Sequence, residues 1–209
     1  TPLENIIQTG YEVPNFNTKV NLLELLLSSD DTMTKVLIFA ATKSLADQLY
    51  DKLIELFPDI VGVIHSNKEQ NYRFNTVNQF KSGVFKYIIS TDVMARGIDV
   101  AEVTHVINFD MPNIPETYVH RIGRTGRAGA EGTALSFCDF EEKAYLTDIE
   151  KLIGKKIPVI EEHPYPMQQF HANKSSKDAG WGKPKNTRGR AAQHAGGFGA
   201  KGGQKRRYS

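Results

Sequence analysis

The sequence has little of what marks several other classes of protein. It contains a single cysteine, Cys138, which cannot form an internal disulfide, so we expect a reducing, cytoplasmic compartment rather than a cross-linked secreted scaffold. No apolar run approaches the roughly 18 residues of a membrane-spanning helix, and the longest runs, such as Val36–Ala41, have the length of a strand. The first residues lack the basic-then-apolar pattern of a secretory leader. We therefore expect no membrane partner.

Acidic and aliphatic residues are scarce in the last part of the chain. Residues 163–209 contain 10 Lys and Arg but only one acid, Asp178, together with 8 of the 17 glycines. Residues 1–162 contain 16 Lys and Arg against 23 Asp and Glu, so the net charge of +2 averages an acidic segment of −7 and a basic segment of +9. A segment so polar cannot bury enough surface to offset its ordering entropy. We predict a folded domain over 1–162 and a disordered, basic, glycine-rich tail over 163–209.

Strand-like and helix-like segments alternate through the first 162 residues. Short apolar runs predict strands at Ile6–Val13, Val36–Ala41, Ile60–Ile64, Tyr87–Ser90, Thr104–Asn108 and Gly132–Cys138. Helical spacing of apolar residues predicts helices at Lys19–Leu27, Leu45–Phe57, Glu69–Phe80, from Pro115 onward, and at Phe140–Ile153. The alternation indicates a single α/β domain with a mostly parallel sheet flanked by helices.

Polar turns follow three of the predicted strands. Thr42–Ser44 can cap the next helix, Ser66 and Glu69 have the spacing of a capping box, and residues 91–99 combine hydroxyls, acids and an arginine. Because ligands collect at the carboxyl ends of parallel strands and helix starts attract phosphates, we expect a polyphosphate or a nucleic-acid backbone along this edge. Each turn alone is better explained by ordinary helix capping, and only the joint arrangement of the three turns favours a ligand site.

The strongest local signal is the run HRIGRTGR at residues 120–127. Basic residues crowd together there inside an acidic domain, and clustered like charges are best tolerated where an anion neutralises them. Arg124 and Arg127 are three residues apart, so both guanidinium groups can point to one side of the chain. Paired planar guanidinium groups suit a phosphoryl group, and we expect both arginines at the edge of the sheet with the other polar turns.

These motifs resemble those of the DEAD-box RNA helicases. Residues 120–127 match the family's last signature motif at every fixed position, and residues 90–99 (STDVMARGID) resemble the motif before it. Residues 36–43 (VLIFAATK) resemble the motif that opens the second lobe, and residues 70–73 (QNYR) fit the family's Q-x-x-R element. Order and spacing agree across about residues 3–160. The resemblance implies a RecA-like fold, and it identifies this chain with the second of the family's two lobes.

Two further segments are most similar to the RhlE-type branch of bacterial DEAD-box proteins. They are residues 65–70 (HSNKEQ) and residues 149–158 (IEKLIGKKIP). The chain departs from the family pattern at Ser66, where glycine is usual, and at Ala40–Ala41, where a polar residue often precedes Thr42. The backbone approach to RNA at the Ser66 turn is therefore in question.

The resemblance assigns three groups of site residues. The catalytic residues would be Arg124, Arg127 and His120, the nucleotide-binding residues Gly97, Asp99 and Arg121, and the RNA-binding residues Thr42, Gln70, Arg73 and Thr91. The two arginines would be arginine fingers on the γ-phosphate, which stabilise transition-state charge. The carboxylate of Asp99 would bind the ribose, and His120 and Arg121 would contact the first lobe. The implied cofactor is ATP with Mg²⁺, held mainly by that N-terminal lobe, and the implied partners are RNA and the lobe itself.

The phosphate-binding half of an ATPase is missing from these 209 residues. They contain no G-x-x-x-x-G-K-[ST] run and no Asp-Glu-Ala-Asp, although an NTPase needs a phosphate cradle and an acid for Mg²⁺. No carboxylate, cysteine or histidine cluster has metal-ligand spacing, so we expect no metal site here. We expect a monomeric piece of a larger helicase that is inactive by itself. The rival hypotheses are a non-catalytic RNA-binding or annealing module and, less well supported by the His-Arg-x-Gly-Arg opening, a DNA helicase lobe.

The remaining candidates have structural interpretations or unresolved ones. His105 lies in a predicted strand, and Cys138 is best explained as a small buried hydrophobic residue. Asp92 either holds its own loop together or orients Arg73. The basic tail carries Phe170 and other aromatic residues, and such tails bind nucleic acid by counterion release and stacking; a solubilising extension is the alternative.

Overall fold

A computed structural model describes residues 3–92, 102–127 and 130–167. Its core is a sheet of seven strands in the order β3-β4-β2-β5-β6-β1-β7, and the neighbouring strands pair in parallel. The strands are β1 Ile6–Glu12, β2 Val36–Phe39, β3 Val61–Ile64, β4 Tyr87–Ser90, β5 His105–Asn108, β6 Gly132–Cys138 and β7 Val159–Ile160. The six strands predicted from the sequence are confirmed. The seventh, two residues long, is too short to give a periodic pattern.

Helices cover both faces of the sheet. They are α1 Phe16–Ser29, α2 Lys43–Leu56, α3 Gln70–Lys81, α4 Pro115–Ile122 and α5 Lys143–Ile153, and a 3₁₀ helix spans Leu3–Asn5. Successive strand residues face opposite sides, so Val36 and Ile38 pack with α1 and α2 whereas Leu37 and Phe39 pack with α3, α4 and α5. The fold is therefore a three-layer α/β domain of the RecA-like kind that the sequence predicted.

The sequence placed the starts of α1 and α5 a few residues from where the structure has them, and local hydrogen bonds explain both differences. The helix α1 begins at Phe16 because Asn15 and Thr18 form a reciprocal capping box. The helix α5 begins only at Lys143 because the Asp139 carboxylate accepts from the amides of Glu141 and Glu142 and holds them in a turn.

The ends of β5 and β6 are tied together by buried charges. Lys19 on α1 is 2% exposed, and its Nζ lies 2.7 Å from the Glu142 carboxylate and 3.2 Å from that of Asp110. Glu142 also accepts from the Met111 amide at 2.9 Å, and Asp110 accepts from the Ala41 amide at 2.8 Å. Three loops at the carboxyl ends of the strands are thus held in fixed positions.

The ordered domain continues past residue 162, where the sequence placed its end. The His163 ring packs edge-on against Tyr11 with centroids 5.7 Å apart, and Tyr165 packs against the core. The start predicted for the tail is therefore too early, and the rest of the predicted tail lies outside the described residues. Within the described ranges, no helix has the length and apolar character needed to cross a bilayer.

Candidate functional site

The four predicted RNA-binding residues lie at the carboxyl ends of three adjacent strands. Thr42 follows β2 and caps α2, where its hydroxyl accepts from the Leu45 amide at 3.1 Å. Gln70 opens α3 after β3, and the Arg73 guanidinium donates to the Gln70 side-chain oxygen at 3.2 Å. Thr91 directly follows β4 and is 8% exposed. The strand order β3-β4-β2 brings all four to one edge of the sheet, which we call the carboxyl edge.

The turn between β3 and α3 is held from outside by α2. The Asp47 carboxylate lies 2.9 Å from His65 Nε2 and 2.9 Å from Lys68 Nζ, and Lys43 Nζ donates to Asn67 at 2.8 Å. Although partial burial raises the pKa of Asp47, the hydrogen bonds from His65 and Lys68 lower it further, so its pKa lies below the usual value. Asp47 therefore holds the turn as a carboxylate.

The capping box expected at Ser66 and Glu69 is wrong. The residue before α3 is Glu69 itself, and its side chain makes no capping hydrogen bond. A capping box at Ser66 and Glu69 would start the helix at residue 67, three residues before its actual start at Gln70, and Ser66 is exposed in the turn. The first amides of α3 therefore face the carboxyl edge without a side-chain cap, beside Gln70 and Arg73.

Arg121 is a buried charged side chain of the site with several internal partners. Its guanidinium is buried and pairs with both carboxylate oxygens of Asp92, at 2.6 and 2.8 Å. It also donates to the Asn108 side chain at 3.1 Å and to the Asp110 carbonyl at 2.7 Å, and it lies 4.8 Å from the centroid of the Phe39 ring. Neither sequence alternative for Asp92 includes this partner.

These contacts correct the expectation that Arg121 meets the nucleotide or the first lobe directly. A guanidinium buried among four internal partners has no surface left to present, so Arg121 acts in this structure as a positioning residue. It ties α4 to Asp92, the residue that follows Thr91. His120, its neighbour on the last turn of α4, is exposed.

The turn that carries Arg124 and Arg127 is anchored at the amino ends of β5 and β6, which we call the opposite edge of the sheet because the carboxyl edge lies at the other ends of the strands. The Thr125 hydroxyl donates to the carbonyls of Val103 and Thr104, directly before β5. Gly132 opens β6, and a Cβ placed on it would lie 2.4 Å from the Gly126 amide, so only glycine allows this approach.

The expectation that both guanidinium groups share an edge with the other polar turns stays a prediction, because these contacts locate Thr125 and Gly126 only. Arg124 and Arg127 are partly buried, and Arg127 Nε donates to the Gly123 carbonyl at 3.1 Å. Their turn contacts the segment that directly follows residues 93–101. Gly97 and Asp99 belong to residues 93–101, which lie outside the described residues.

The comparison with known proteins identifies the family. Residues 16–129 match the family model described as "Helicase conserved C-terminal domain". The chain belongs to this family. Its relatives are DEAD-box proteins: "DEAD-box ATP-dependent RNA helicase 14" of Arabidopsis thaliana is 38% identical over 184 residues, which make up 88% of this chain and 29% of that protein. The chain spans about 29% to 32% of the length of such curated relatives.

Solved structures of DEAD-box proteins share this fold. The E. coli protein SrmB, solved bound to the regulator of ribonuclease activity A, is 30% identical with a TM-score of 0.71, over 78% of this chain and 96% of that one. S. cerevisiae Dbp5, solved bound to RNA and ADP BeF3, is 34% identical with a TM-score of 0.65, over 74% of this chain and 41% of that one. The DEAD-box C-terminal lobe predicted from the motifs is thus confirmed.

Other candidate residues of this helicase lobe take structural positions. His105 is buried in β5, where burial lowers its pKa. Cys138 is 2% exposed, and burial raises the pKa of its thiol to about 12. In the part of the chain that the structure describes, no group of three or more His, Cys, Asp or Glu side chains could hold a metal ion.

Sequence reasoning missed the two buried cations that organise the site. The sequence gives Lys19 no role beyond the start of a predicted helix, and the resemblance gives Arg121 a contact with the nucleotide. In the structure, both side chains are buried among hydrogen-bond acceptors. A possible signal was the placement of Lys19 on the same side of α1 as Leu22, Leu23 and Leu27, because a cation among core positions needs buried carboxylates.

Proposed function

We propose that this lobe serves an ATP-dependent RNA helicase by joining an RNA surface at its carboxyl edge to a nucleotide-contacting turn at the opposite edge. The observation that carries the proposal is the Arg121–Asp92 pair. It connects the residue next to Thr91, on the RNA side, to α4, the helix that precedes the turn with Arg124 and Arg127. Local unwinding requires that the two ligands be sensed together.

On the RNA side, the proposed contacts are Thr42, Gln70, Arg73 and Thr91. Hydroxyl, amide and guanidinium groups at strand ends and at an uncapped helix start bind phosphates and 2′-hydroxyls. Such contacts hold the RNA backbone without reading its bases. We therefore infer that the helicase acts on RNA with little sequence preference at this lobe.

On the nucleotide side, the proposed residues are Arg124, Arg127 and His120, with Gly97 and Asp99 toward the ribose. Two fixed guanidinium groups on one short turn suit the γ-phosphate. ATP supplies the energy when it is bound between the lobes, and its Mg²⁺ would be held by acids of the N-terminal lobe. The part this chain plays is to bring positive charge to the transferring phosphoryl group.

The wider setting of the protein is proposed from the sequence. The segments at residues 65–70 and 149–158 favour an RhlE-type helicase, working as a monomer in the cytoplasm with its own N-terminal lobe as the main protein partner. The basic residues of 163–209 would add salt-dependent RNA affinity. Deletion of this tail should weaken RNA binding and flatten its salt dependence, and unchanged affinity at low salt would contradict the proposal.

The decisive experiment mixes this chain with a separately produced DEAD-box N-terminal lobe and measures ATP turnover with and without RNA. The parent chain should restore RNA-stimulated turnover, and Arg124→Gln should lower it by about 10³-fold or more because an arginine finger is lost. Nucleotide binding to the N-terminal lobe should persist. The matched control is Lys52→Gln, which removes an exposed cation of α2 and should leave turnover unchanged.

Two outcomes would overturn the proposal. Full turnover by Arg124→Gln would remove the finger assignment. RNA binding by this chain that is indifferent both to the added lobe and to nucleotide would favour the alternative function, a non-catalytic RNA-binding or annealing module.

A further inference from the structure

A cavity of about 380 Å³ lies beside the start of β1 and the end of α5. It is lined by Leu3 and Glu4 of the 3₁₀ helix, Gln8 of β1, Ile153 at the end of α5, and Lys155. Its volume falls within the range of small-molecule sites, which combine apolar walls with a few polar groups. Here Leu3 and Ile153 supply the apolar walls.

The polar group inside the cavity is the side chain of Gln8. Gln8 is 6% exposed, and its amide oxygen accepts from the Tyr118 hydroxyl at 3.0 Å. Its amide nitrogen makes no hydrogen bond to any residue in the described ranges, and the Gln8 residue lines the cavity. The amide nitrogen is not among the buried unpaired polar atoms of the described residues, so it is accessible and free to donate to a bound acceptor.

The orientation of the Gln8 amide is set by a chain of hydrogen bonds beneath α4. A guanidinium can only donate, so the Asn108 oxygen accepts from Arg121 and the Asn108 nitrogen donates to Ser136 at 3.1 Å. The Ser136 hydroxyl in turn interacts with the Tyr118 oxygen, and this interaction lowers the pKa of Tyr118 against the stronger raising effect of burial. Tyr118 then donates to the Gln8 oxygen, which leaves the Gln8 nitrogen as a donor toward the cavity.

We propose that this cavity binds an apolar molecule that presents a carbonyl or carboxylate oxygen to Gln8. Lys155 also lines the cavity, and its flexible ammonium can serve as a second donor to the same oxygen. A branched apolar body fills the space between Leu3 and Ile153, and Glu4 disfavours a second negative charge at its side of the cavity. The ligand class is therefore an N-acylated apolar amino acid, its amide, or a similar acyl compound.

Occupancy of the cavity reaches the functional site through the same hydrogen bonds. Gln8 and Arg121 are the two ends of the chain, and Tyr118 and Arg121 lie on α4, the helix that leads to Arg124. An acceptor on the Gln8 nitrogen polarises each bond in turn. Binding should therefore alter the environment of the Arg121 Nε–H group, which is paired with Asp92.

The test titrates the isotopically labelled full chain with N-acetyl-leucine and with N-acetyl-leucine amide and follows it by NMR. Binding should shift the Gln8 side-chain amide and Ile153 methyl resonances, and the Arg121 Nε–H resonance should shift with them. Gln8→Leu keeps the volume but removes the donor, and should weaken binding by about 2- to 10-fold. Tyr118→Phe should leave binding in place but abolish the shift at Arg121.

Ile153→Trp provides a second blocking variant, which fills the cavity without changing Gln8 and should abolish binding even if Gln8→Leu folds poorly. The absence of shifts at Gln8 and Ile153 up to the solubility of both probes would overturn the proposal. Equal affinity of Gln8→Leu and the parent would overturn the role of the amide. Persistence of the Arg121 shift in Tyr118→Phe would overturn the coupling.

Discussion

Neutralising Asp92 tests whether its pair with Arg121 holds α4 to the segment that directly follows β4. Removing one partner of a buried ion pair costs about 3 to 5 kcal/mol because the other charge is left without compensation. The Arg121 side chain is 2% exposed but the Asp92 side chain is 36% exposed, so water offsets part of the loss. Arg121 also keeps its bonds to Asn108 and the Asp110 carbonyl. We therefore expect Asp92→Asn to lower the free energy of unfolding by about 2 to 3 kcal/mol.

The measurement is urea and thermal unfolding followed by far-ultraviolet circular dichroism. For a domain of this size, the expected loss corresponds to a fall in Tm of about 4 to 12 °C. The control is Glu116→Gln on the exposed side of α4, which should change stability by no more than about 0.5 kcal/mol. Arg121→Lys should also destabilise the domain, because an ammonium cannot reproduce the two parallel bonds to Asp92.

A double-mutant cycle decides whether the pair itself is responsible. If Asp92 and Arg121 act through each other, Asp92→Asn combined with Arg121→Gln should cost less than the two single changes together, by about 1 to 3 kcal/mol. Additive losses, or an Asp92→Asn variant as stable as the Glu116→Gln control, would refute the assignment of Arg121 as a positioning residue.

Three further predictions concern buried titratable groups. Lys19→Met should lower the free energy of unfolding in urea by about 3 to 5 kcal/mol, because it leaves two buried carboxylates without a cation. Burial lowers the pKa of Lys19, but Glu142 and Asp110 raise it by more, so the net pKa is raised. The stabilisation by Lys19 should therefore be present at neutral pH and be lost as the pH rises through that raised pKa. A variant as stable as the parent would contradict it. Burial lowers the pKa of His105, so the histidine is protonated more readily in the unfolded chain and stability should fall as the pH drops below about 6.5. His105→Gln should flatten the pH dependence of the free energy of unfolding in a series of urea denaturations. The same pH dependence in variant and parent would exclude His105 as its cause. With a thiol pKa of about 12, Cys138 should resist a thiol-specific reagent at pH about 8 in the folded chain, and rapid labelling under native conditions would show that it is accessible.

The secondary structure was predictable because its signals are local. The strands β4 and β6 lie at Tyr87–Ser90 and Gly132–Cys138, the same bounds that the apolar runs predict. The helix boundaries were less predictable because they depend on side-chain hydrogen bonds such as that of Asn15 with Thr18, which compete with other polar residues nearby. The Ser66–Glu69 spacing was equally suggestive, yet the turn there is held by Asp47 of α2 instead.

The internal organisation of the site was not predictable because its partners are remote in sequence. Lys19 meets Asp110 and Glu142 across 91 and 123 residues, and Arg121 meets Asp92 across 29. Motif matching assigned Arg121 a role from its neighbours along the chain, whereas the fold gives it a role from its neighbours in space. The Gln8 amide has no sequence signal, since a single glutamine in an apolar strand is unremarkable until the cavity beside it is known.

The separation of the two groups of site residues has a consequence for how a helicase lobe transmits force. The proposed RNA contacts lie at the carboxyl edge, and the arginine turn is anchored at the amino ends of β5 and β6. The helix α4 joins these regions, and at eight residues it is about 12 Å long. A change at one edge reaches the other through α4 if this helix moves as a rigid unit with Thr91 and Asp92, and Arg121 supplies that connection. A variant that loosens this pair while keeping Arg124 and Thr91 intact should therefore bind RNA and nucleotide separately but lose the stimulation of turnover by RNA.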